Sequence, residues 1–405
     1  AIDYLATQGV NSLYMMLNNI GGDGDNVWPW MGTTSGEAQS NHQRFNPVKL
    51  AEWEDLFTHI ENQGIVLHLV LEDDSGWTGF DRGLYYRQMV AHFGHHNGII
   101  WNISEEYNEN YTADQIKAFA QMIRDLDPYD HPITVHHFGA LDKWQPFVGD
   151  SRFDLTSFQT EKIPVNADAS TWYFNVENSE RTVPVSFDET GQIGSSDQAL
   201  ARHIIWSAYM GGANYELHTF PLNSYQEFAG HMEDMTRARQ FIEGLPFWNM
   251  SPMNGLVTSG NAYVFALTGE IYSAYLPAGG QVELDLSGTG AGFDAEWFNP
   301  RDGSTASTGF FQGGSVIQFS APSNNDWVLL LSKSTITPTA TNTAAGPTST
   351  ATATWTPTAT SVPTSTPTPT QTATPTAAAT AAQTATWTAT PPPVLETVEA
   401  RVSGS

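Results

Sequence analysis

No cysteine occurs anywhere in the 405 residues. That removes disulfide frameworks, thiolate metal sites and a cysteine nucleophile in one step. Basic residues are scarce too: 16 Lys and Arg stand against 43 Asp and Glu, a formal net charge of −27. A phosphate backbone would be repelled, so no nucleic-acid partner is expected. No apolar run approaches the roughly 20 residues a membrane-spanning helix needs, so no transmembrane segment is expected. Also missing are a Gly-x-Ser-x-Gly elbow, a His-Glu-x-x-His motif and a Gly-rich phosphate turn after the first strand-like segment. The serine-hydrolase, zincin and dinucleotide-binding readings therefore have no support. The chain opens at Ala1 with neither Met nor a leader, which reads as a mature form or a fragment.

What is abundant is aromatic: 12% of the residues, with 13 Trp. Such rings fill large cores, and they also stack on sugar rings. From about residue 334 onward the composition collapses to Thr, Ala, Pro and Ser. A segment with so little to bury cannot offset its ordering entropy and reads as a disordered stalk or linker.

Between Ala1 and about residue 250, short apolar segments alternate with amphipathic helical patterns. The strand-like segments are Val10–Met16, Gly64–Leu71, Gly98–Ile103, Pro132–His137, Leu155–Gln159, Val183–Phe187 and Ala213–His218. The helical patterns are Pro47–Gln63, Asp81–Phe93, Thr112–Leu126, Gln198–Met210 and Tyr225–Ile242. Thr112 with Gln115 three residues on is a capping-box signal. Strands alternating with helices imply parallel βαβ units, and seven in this length fit a (β/α)₈ barrel better than an open sheet. Ala1–Gly9 reads as the helix preceding the second strand, so the barrel's first strand is expected upstream of Ala1. Residues 251–333 change to short alternating strands with Gly-rich turns, the pattern of an all-β sandwich.

Active sites of such barrels lie at the C-terminal ends of the strands. The segment ending in Trp101-Asn102-Ile103-Ser104 runs into Glu105-Glu106, and Val183–Phe187 runs into Asp188-Glu189. Carboxylates at strand ends are costly unless solvated or used. These pairs fall on the fourth and seventh strand positions, across the barrel mouth from one another. Glycoside hydrolysis needs such a pair, one acid to protonate the leaving oxygen and one carboxylate to attack or to activate water. The alternative is that each pair opens a solvated loop. The run Glu72-Asp73-Asp74 reads mainly as solvated charge, with sugar or Ca²⁺ contact as the other reading, and the loop Gly21–Asn26 carries a weak calcium pattern. Asn18, His136, His137, Gln159 and His218 are polar groups at strand ends that could line a sugar pocket. Trp28 and Trp30 are candidate stacking platforms. His95-His96 lies at a helix end beside Gly94, where capping is the simpler role than metal binding.

The run Gly98-Ile-Ile-Trp-Asn-Ile-Ser-Glu-Glu-Tyr-Asn resembles the fourth-strand motif of barrel glycoside hydrolase-like proteins that end in a collagen-binding-type β-domain. These are related to the apiosidase-like proteins and the wider retaining (β/α)₈ glycosidase clan. Val185-Ser-Phe-Asp-Glu-Thr-Gly is similar to their seventh-strand motif. Ala295-Glu-Trp-Phe-Asn-Pro-Arg-Asp-Gly resembles the Trp-x-x-Pro-Arg-x-Gly signature of the β-domain. The resemblance covers about residues 1–333. It implies a general acid/base at Glu106 and a nucleophile at Glu189. Glu105 stands where the clan carries Asn before its acid/base, so Glu105 remains the alternative to Glu106.

The expectation is thus an α/β protein: a (β/α)₈ TIM-type barrel lacking its first strand, then a small all-β sandwich, then a disordered Thr/Pro-rich tail. Its expected activity is a glycosidase acting on O-glycosyl bonds of a polysaccharide or oligosaccharide by a retaining mechanism. Glu106 and Glu189 are the expected catalytic pair, Glu106 with its pKa raised for the acid role and Glu189 ionised. Asn18, Trp28, Trp30, Glu72, Trp101, Asn102, Glu105, His137, Gln159 and His218 are the expected substrate contacts. No cofactor and no metal are expected. The partner is a carbohydrate substrate, with cell wall or extracellular matrix reached through the β-domain and tail, which places the protein outside a bacterial cell or on its surface. The rival from another class is a non-catalytic carbohydrate- or collagen-binding surface protein. A polysaccharide lyase is disfavoured, because the acidic balance and scarce strand-end Arg or Lys do not suit an anionic substrate.

Overall fold

A computed structural model describes residues 1–335, apart from 23, 77–78, 192 and 219–224, together with 396–399. Residues 336–395 and 400–405 of the Thr/Pro-rich tail expected from composition lie outside the described residues, as does Asp23 of the weak calcium pattern.

Seven strands alternate with helices in the first 250 residues. The strands are β1 (Ser12–Met16), β2 (Val66–Val70), β3 (Ile99–Asn102), β4 (Ile133–Thr134), β5 (Phe158–Thr160), β6 (Val185–Thr190) and β7 (Ala213–Leu217). The helices are α1 (Ile2–Thr7), α2 (Ser35–Ser40), α3 (Pro47–Asn62), α4 (Arg82–Phe93), α5 (Ala113–Leu126), α6 (Asn166–Glu177), α7 (Gln198–Met210) and α8 (Ala229–Glu243). The Thr112–Gln115 capping box forms as expected, each side chain bonded to the other's backbone N–H. Two helices were not legible in the pattern. Helix α2 is a six-residue turn capped by Thr34. Helix α6 contains two Asn and three aromatic residues, which are weak helix formers. Burial of Ala169, Trp172 and Val176, spaced three and four residues apart, stabilises it through packing rather than propensity.

All ladders of this region are parallel, in the order β4-β3-β2-β1-β17-β7-β6-β5. Here β17 is Glu396–Glu399, which pairs in parallel with both β1 and β7. This strand falls within the stretch that composition assigns to the tail. At one end of the order, β4 is bonded to the segment that leads into β5: Asp154 N donates to Ile133 O and Thr134 Oγ1 to Leu155 O, each at 2.8 Å. Strand β4 is shorter than the expected Pro132–His137. Beyond Thr134 the backbone leaves the ladder, and His136 N donates instead to Asn102 Oδ1 at 3.2 Å and Ser104 O at 3.1 Å.

Nine further strands follow: β8 (Ser251–Pro252), β9 (Val257–Ser259), β10 (Tyr263–Leu267), β11 (Ile271–Leu276), β12 (Gln281–Asp285), β13 (Gly292–Phe298), β14 (Thr305–Gln312), β15 (Val316–Ser320) and β16 (Trp327–Lys333). They form two antiparallel sheets, β14-β13-β16-β11-β10-β8 and β15-β12-β9, with Val264, Tyr272, Leu284, Phe293, Trp297 and Leu329 packed between them. The sheet pattern matches the alternation read from sequence. The motif residues have physical roles here. Trp297 fills the core, Arg301 lies 5.0 Å from the Trp327 ring and 2.6 Å from Asp326, and Gly303 takes a left-handed φ of 74°.

Helix α7 joins the two regions. Trp206 stacks on Tyr275 at 5.7 Å and meets Phe298 at 6.0 Å. Beside these rings Arg202, almost fully buried, bridges Asp326 at 2.7 Å and Asp234 at 2.8 Å. Buried charges of this kind persist only when every one is paired, so the network holds the β-sandwich in one orientation on α7.

Candidate active site

Glu106 follows β3 after a sharp turn. Its backbone lies at φ 39° and ψ 42°, the left-handed region that a non-glycine residue occupies at a cost of about 1–3 kcal/mol. Local bonds hold the turn: Glu105 N donates to Glu72 O at 2.9 Å, and Tyr107 N donates to His136 O at 3.1 Å. Glu105 is buried while Glu106 is only partly so. The kink separates two adjacent carboxylates that a regular strand would merely have alternated.

Glu189 is aimed by a second irregularity. Between β5 and β6, Phe158 pairs with Phe187 but Gln159 pairs with Glu189, so Asp188 is an extra residue on its strand. Such a bulge re-aims the side chains that follow it. Asp188 reaches inward, bonded by Ser186 Oγ and grouped with His68 and Glu216. Glu189 then faces Gln159 directly.

Gln159 links the two acids. Its Nε2 donates to Glu106 Oε1 at 2.8 Å, and its side chain also helps lower the pKa of Glu189. Its Oε1 accepts from Gly139 N at 3.3 Å, which fixes the amide orientation. His136 Nε2 lies 3.5 Å from Glu189 Oε2, and His218 Nδ1 lies 3.8 Å from Glu189 Oε1. Burial alone would raise the Glu189 pKa. The nearby His136, with His218 and Gln159, instead holds it at about 2. For His136 burial opposes the charged form, yet Glu189, Asp188 and Glu106 together raise its pKa above the ordinary 6.5. The two groups stabilise each other as an ion pair.

Below this pair lies a polar floor. His68 is fully buried, which brings its pKa down to about 4 against the opposing pull of Asp188. Asn102 Nδ2 sits 3.3 Å from His68 Nε2 and 3.4 Å from the Tyr14 hydroxyl. His137 is driven to about 3 by burial and by the neighbouring His136 charge, and its Nε2 accepts from Gln159 N at 3.4 Å. Both buried histidines are therefore neutral hydrogen-bonding groups at neutral pH. Among the described residues, Asn18 Oδ1 and Asp188 Oδ2 are buried without a hydrogen-bond partner.

The structure thus brings Glu106, Glu189, Gln159 and His218 together. Asn102 and His137 stand directly behind them as supports rather than contacts, and Glu105 is buried beside Glu106. Asn18 is buried after β1 with its oxygen unanswered.

Four expected substrate contacts are corrected. Glu72 is not a solvated or free acid: Arg82 Nε and Nη2 donate to it at 2.5 and 2.8 Å, Tyr86 at 2.5 Å and Tyr111 at 2.8 Å. Its neighbour Asp73 is buried as well, which raises its pKa to about 7 despite bonds from Ser75 and Gly22. Trp101 alternates to the opposite face from Asn102, and its Nε1 donates to Asp127 in the helix layer at 3.2 Å. Trp30 is buried among Phe45, Phe80 and Tyr85. Trp28 is buried too, with the Lys49 ammonium 4.5 Å from its ring centroid. The missed residues are Tyr14, His68 and Phe138. A polar His68 inside the apolar run Val66–Val70 was the available signal. Phe138 gave none, yet it is 48% exposed, and Asn108 clamps both its N–H and its C=O.

No helix among the described residues is long and apolar enough to cross a membrane. Residues 253–332 match the family described as "Putative collagen-binding domain of a collagenase". A solved structure described as "Glycoside hydrolase" superposes with a TM-score of 0.68 at 16% identity, over 83% of this chain and 88% of that one. A glycoside hydrolase family 5 structure from Bacteroides vulgatus ATCC 8482 gives 0.66 at 18% identity, over 82% of this chain and 85% of that one. No curated protein matches the chain. At these identities the structural likeness is one of fold.

Proposed function

We propose that the chain hydrolyses O-glycosidic bonds of a neutral polysaccharide or oligosaccharide, with Glu106 as general acid/base and Glu189 as nucleophile. The parallel sheet is read as a (β/α)₈ barrel, and its glycoside hydrolase neighbours support that reading. The single observation that carries the proposal is Gln159, which donates to Glu106 at 2.8 Å and also helps hold the Glu189 pKa down. Both carboxyls are thus drawn toward one amide side chain at the same end of the sheet. Retaining glycosidases place their carboxyls about 5–5.5 Å apart, and inverting ones leave room for a water.

The roles follow from the surroundings. A nucleophile must be ionised, and Glu189 is, because the His136 ion pair keeps it so down to strongly acidic pH. Attack on the anomeric carbon forms a glycosyl ester while Glu106 gives its proton to the departing oxygen. Glu106 then takes a proton from the water that cleaves the ester. As the ester forms, Glu189 loses its charge and His136 its counter-ion, so the carboxylate is well stabilised as a leaving group in the second step. Asn18 Oδ1 and His218 suit sugar hydroxyls, and the clamped Phe138 ring suits a sugar face at the rim. We also infer that the protein acts outside the cell, with the sandwich of residues 253–332 contributing attachment to cell wall or matrix.

A panel of aryl glycosides and neutral polysaccharides tests the reading on wild type, Glu106→Gln and Glu189→Gln. Each substitution is expected to lower kcat by about 10³-fold or more, given the approximately 4 kcal/mol at stake in losing a nucleophile or proton donor. With Glu189→Ala, added azide is expected to restore turnover and yield a glycosyl azide. Undiminished turnover in either variant removes that residue from the mechanism. Binding of collagen or insoluble glycan without hydrolysis across the panel selects the binding-protein reading.

A further inference from the structure

Helix α3 carries Glu54 and Glu61 two turns apart, so both face the loop that joins α4 to β3. That loop contains His95 and His96. His95 Nε2 lies 3.0 Å from Glu54 Oε1 and His96 Nε2 lies 3.5 Å from Glu54 Oε2. The three ligand atoms lie within 4.8 Å of one another. We propose that Glu54, His95 and His96 bind a divalent transition-metal ion of the zinc type.

Capping was the simpler role for His95-His96 in the sequence; the backbone supplies it, with Gly94 N donating to Val90 O at 2.8 Å and His96 N to Phe93 O at 3.1 Å, so neither imidazole is used to close α4. The observation that points to a ligand is at His96. Its side chain is 1% exposed, and Glu61 Oε2 sits 2.9 Å from its Nδ1. Glu61 is itself held, accepting from Asn97 N at 2.7 Å and Asn97 Nδ2 at 3.1 Å. A carboxylate so placed keeps the proton on Nδ1 and turns the Nε2 lone pair toward Glu54. Among the described residues that buried Nε2 has no hydrogen-bond partner. A lone pair facing a carboxylate oxygen is repulsive, and a cation between them reverses the sign of the contact.

The arrangement is that of a carboxylate–histidine–metal triad, in which the outer carboxylate fixes the tautomer and raises ligand basicity. Two ligands on one tetrahedral zinc ion stand about 3.3 Å apart for bonds near 2 Å. His95 Nε2 and His96 Nε2 stand 3.0 and 3.5 Å from the two oxygens of the one Glu54 carboxylate, close to that spacing. Two imidazoles and one carboxylate favour zinc-like ions over Ca²⁺ or Mg²⁺, which require oxygen ligands. Glu54 and His95 are partly exposed, so water completes the coordination. The loop precedes β3, at the opposite strand end from Glu106, so the ion would brace α3 against the α4–β3 loop without entering the glycosidase chemistry.

The test uses the full chain, freed of metal by chelator and titrated with ZnCl₂ near pH 7.5 by calorimetry, with Tm followed in parallel. One saturating equivalent and a rise in Tm are expected, and Co²⁺ should give the visible absorption of a tetrahedral nitrogen-ligated site. Glu54→Gln and His95→Gln, both at solvent-accessible positions, should each weaken Zn²⁺ binding at least 10-fold. Glu61→Gln should weaken it 10- to 100-fold through its hold on His96. The exposed His59→Gln on the same helix should leave it unchanged. The proposal is overturned by the absence of saturable binding, by equal binding of Ca²⁺, or by Zn²⁺ binding that survives both Glu54→Gln and His95→Gln. The last result would assign the ion to another group such as His68, Asp188 and Glu216.

Discussion

Glu189→Gln tests the electrostatics of the site without needing a substrate. The replacement keeps shape and hydrogen-bonding capacity but removes the charge that faces His136. In the folded protein Glu189 titrates at about 2, against an ordinary 4.5. At 1.36 kcal/mol per pH unit the gap is worth about 3 kcal/mol of folded-state stability. Because the pKa is lowered by folding, that contribution is complete above pH 4.5 and disappears as pH falls toward 2. The side chain is 21% exposed, so solvent screening removes only part of it. His136 acts in the opposite sense. Its pKa is raised by folding, so its share is complete below 6.5 and fades at higher pH. Urea unfolding of both proteins should therefore show a wild-type advantage of roughly 2–3 kcal/mol between pH 5 and 6.5. The two curves should converge near pH 2. A constant difference across this range would refute the ion-pair account, and so would a variant more stable than wild type near neutrality.

Three further outcomes follow from particular contacts. Gln159→Leu removes the donor to Glu106 and a side chain that helps lower the Glu189 pKa. It should raise the Glu189 pKa, move the acid limb of the kcat/KM profile to higher pH and lower kcat about 10- to 100-fold, as loss of a bond to a charged group worth about 1.5–3 kcal/mol implies. Arg82→Met leaves Glu72 buried without its counter-charge, and urea denaturation should show a loss of about 3–5 kcal/mol. Asp326→Asn weakens the link from Arg202 and Arg301 to the sandwich. Thermal unfolding should then change from one transition to two, as the β-sandwich uncouples from α7.

The order of strands and helices was legible because it depends on local signals: apolar runs, capping residues such as Thr112, and glycine-rich turns. The two carboxylate pairs were legible for a related reason. Charged residues directly after apolar strands must be solvated, paired or used, whatever the remaining fold. The fate of individual aromatics was not legible. Trp28, Trp30 and Trp101 have the same chemistry whether they line a pocket or fill a core, and strand alternation and loop packing turn all three away from the site. Glu72 was misjudged because its partners Arg82, Tyr86 and Tyr111 come from two later elements. Nothing in the run Glu72-Asp73-Asp74 announces them.

The sequence by itself determined which strand ends carry acids, because hydrophobic period and residue type are written locally. Only tertiary structure decided which acid of each pair meets the other. A left-handed turn at Glu106 and one extra residue at Asp188 set those directions. A one-residue shift in a strand exchanges its two faces, and no composition or periodicity records where a bulge will fall. The same holds for His96, whose unanswered nitrogen becomes visible only when α3 brings Glu54 and Glu61 to it from about 40 residues away in sequence.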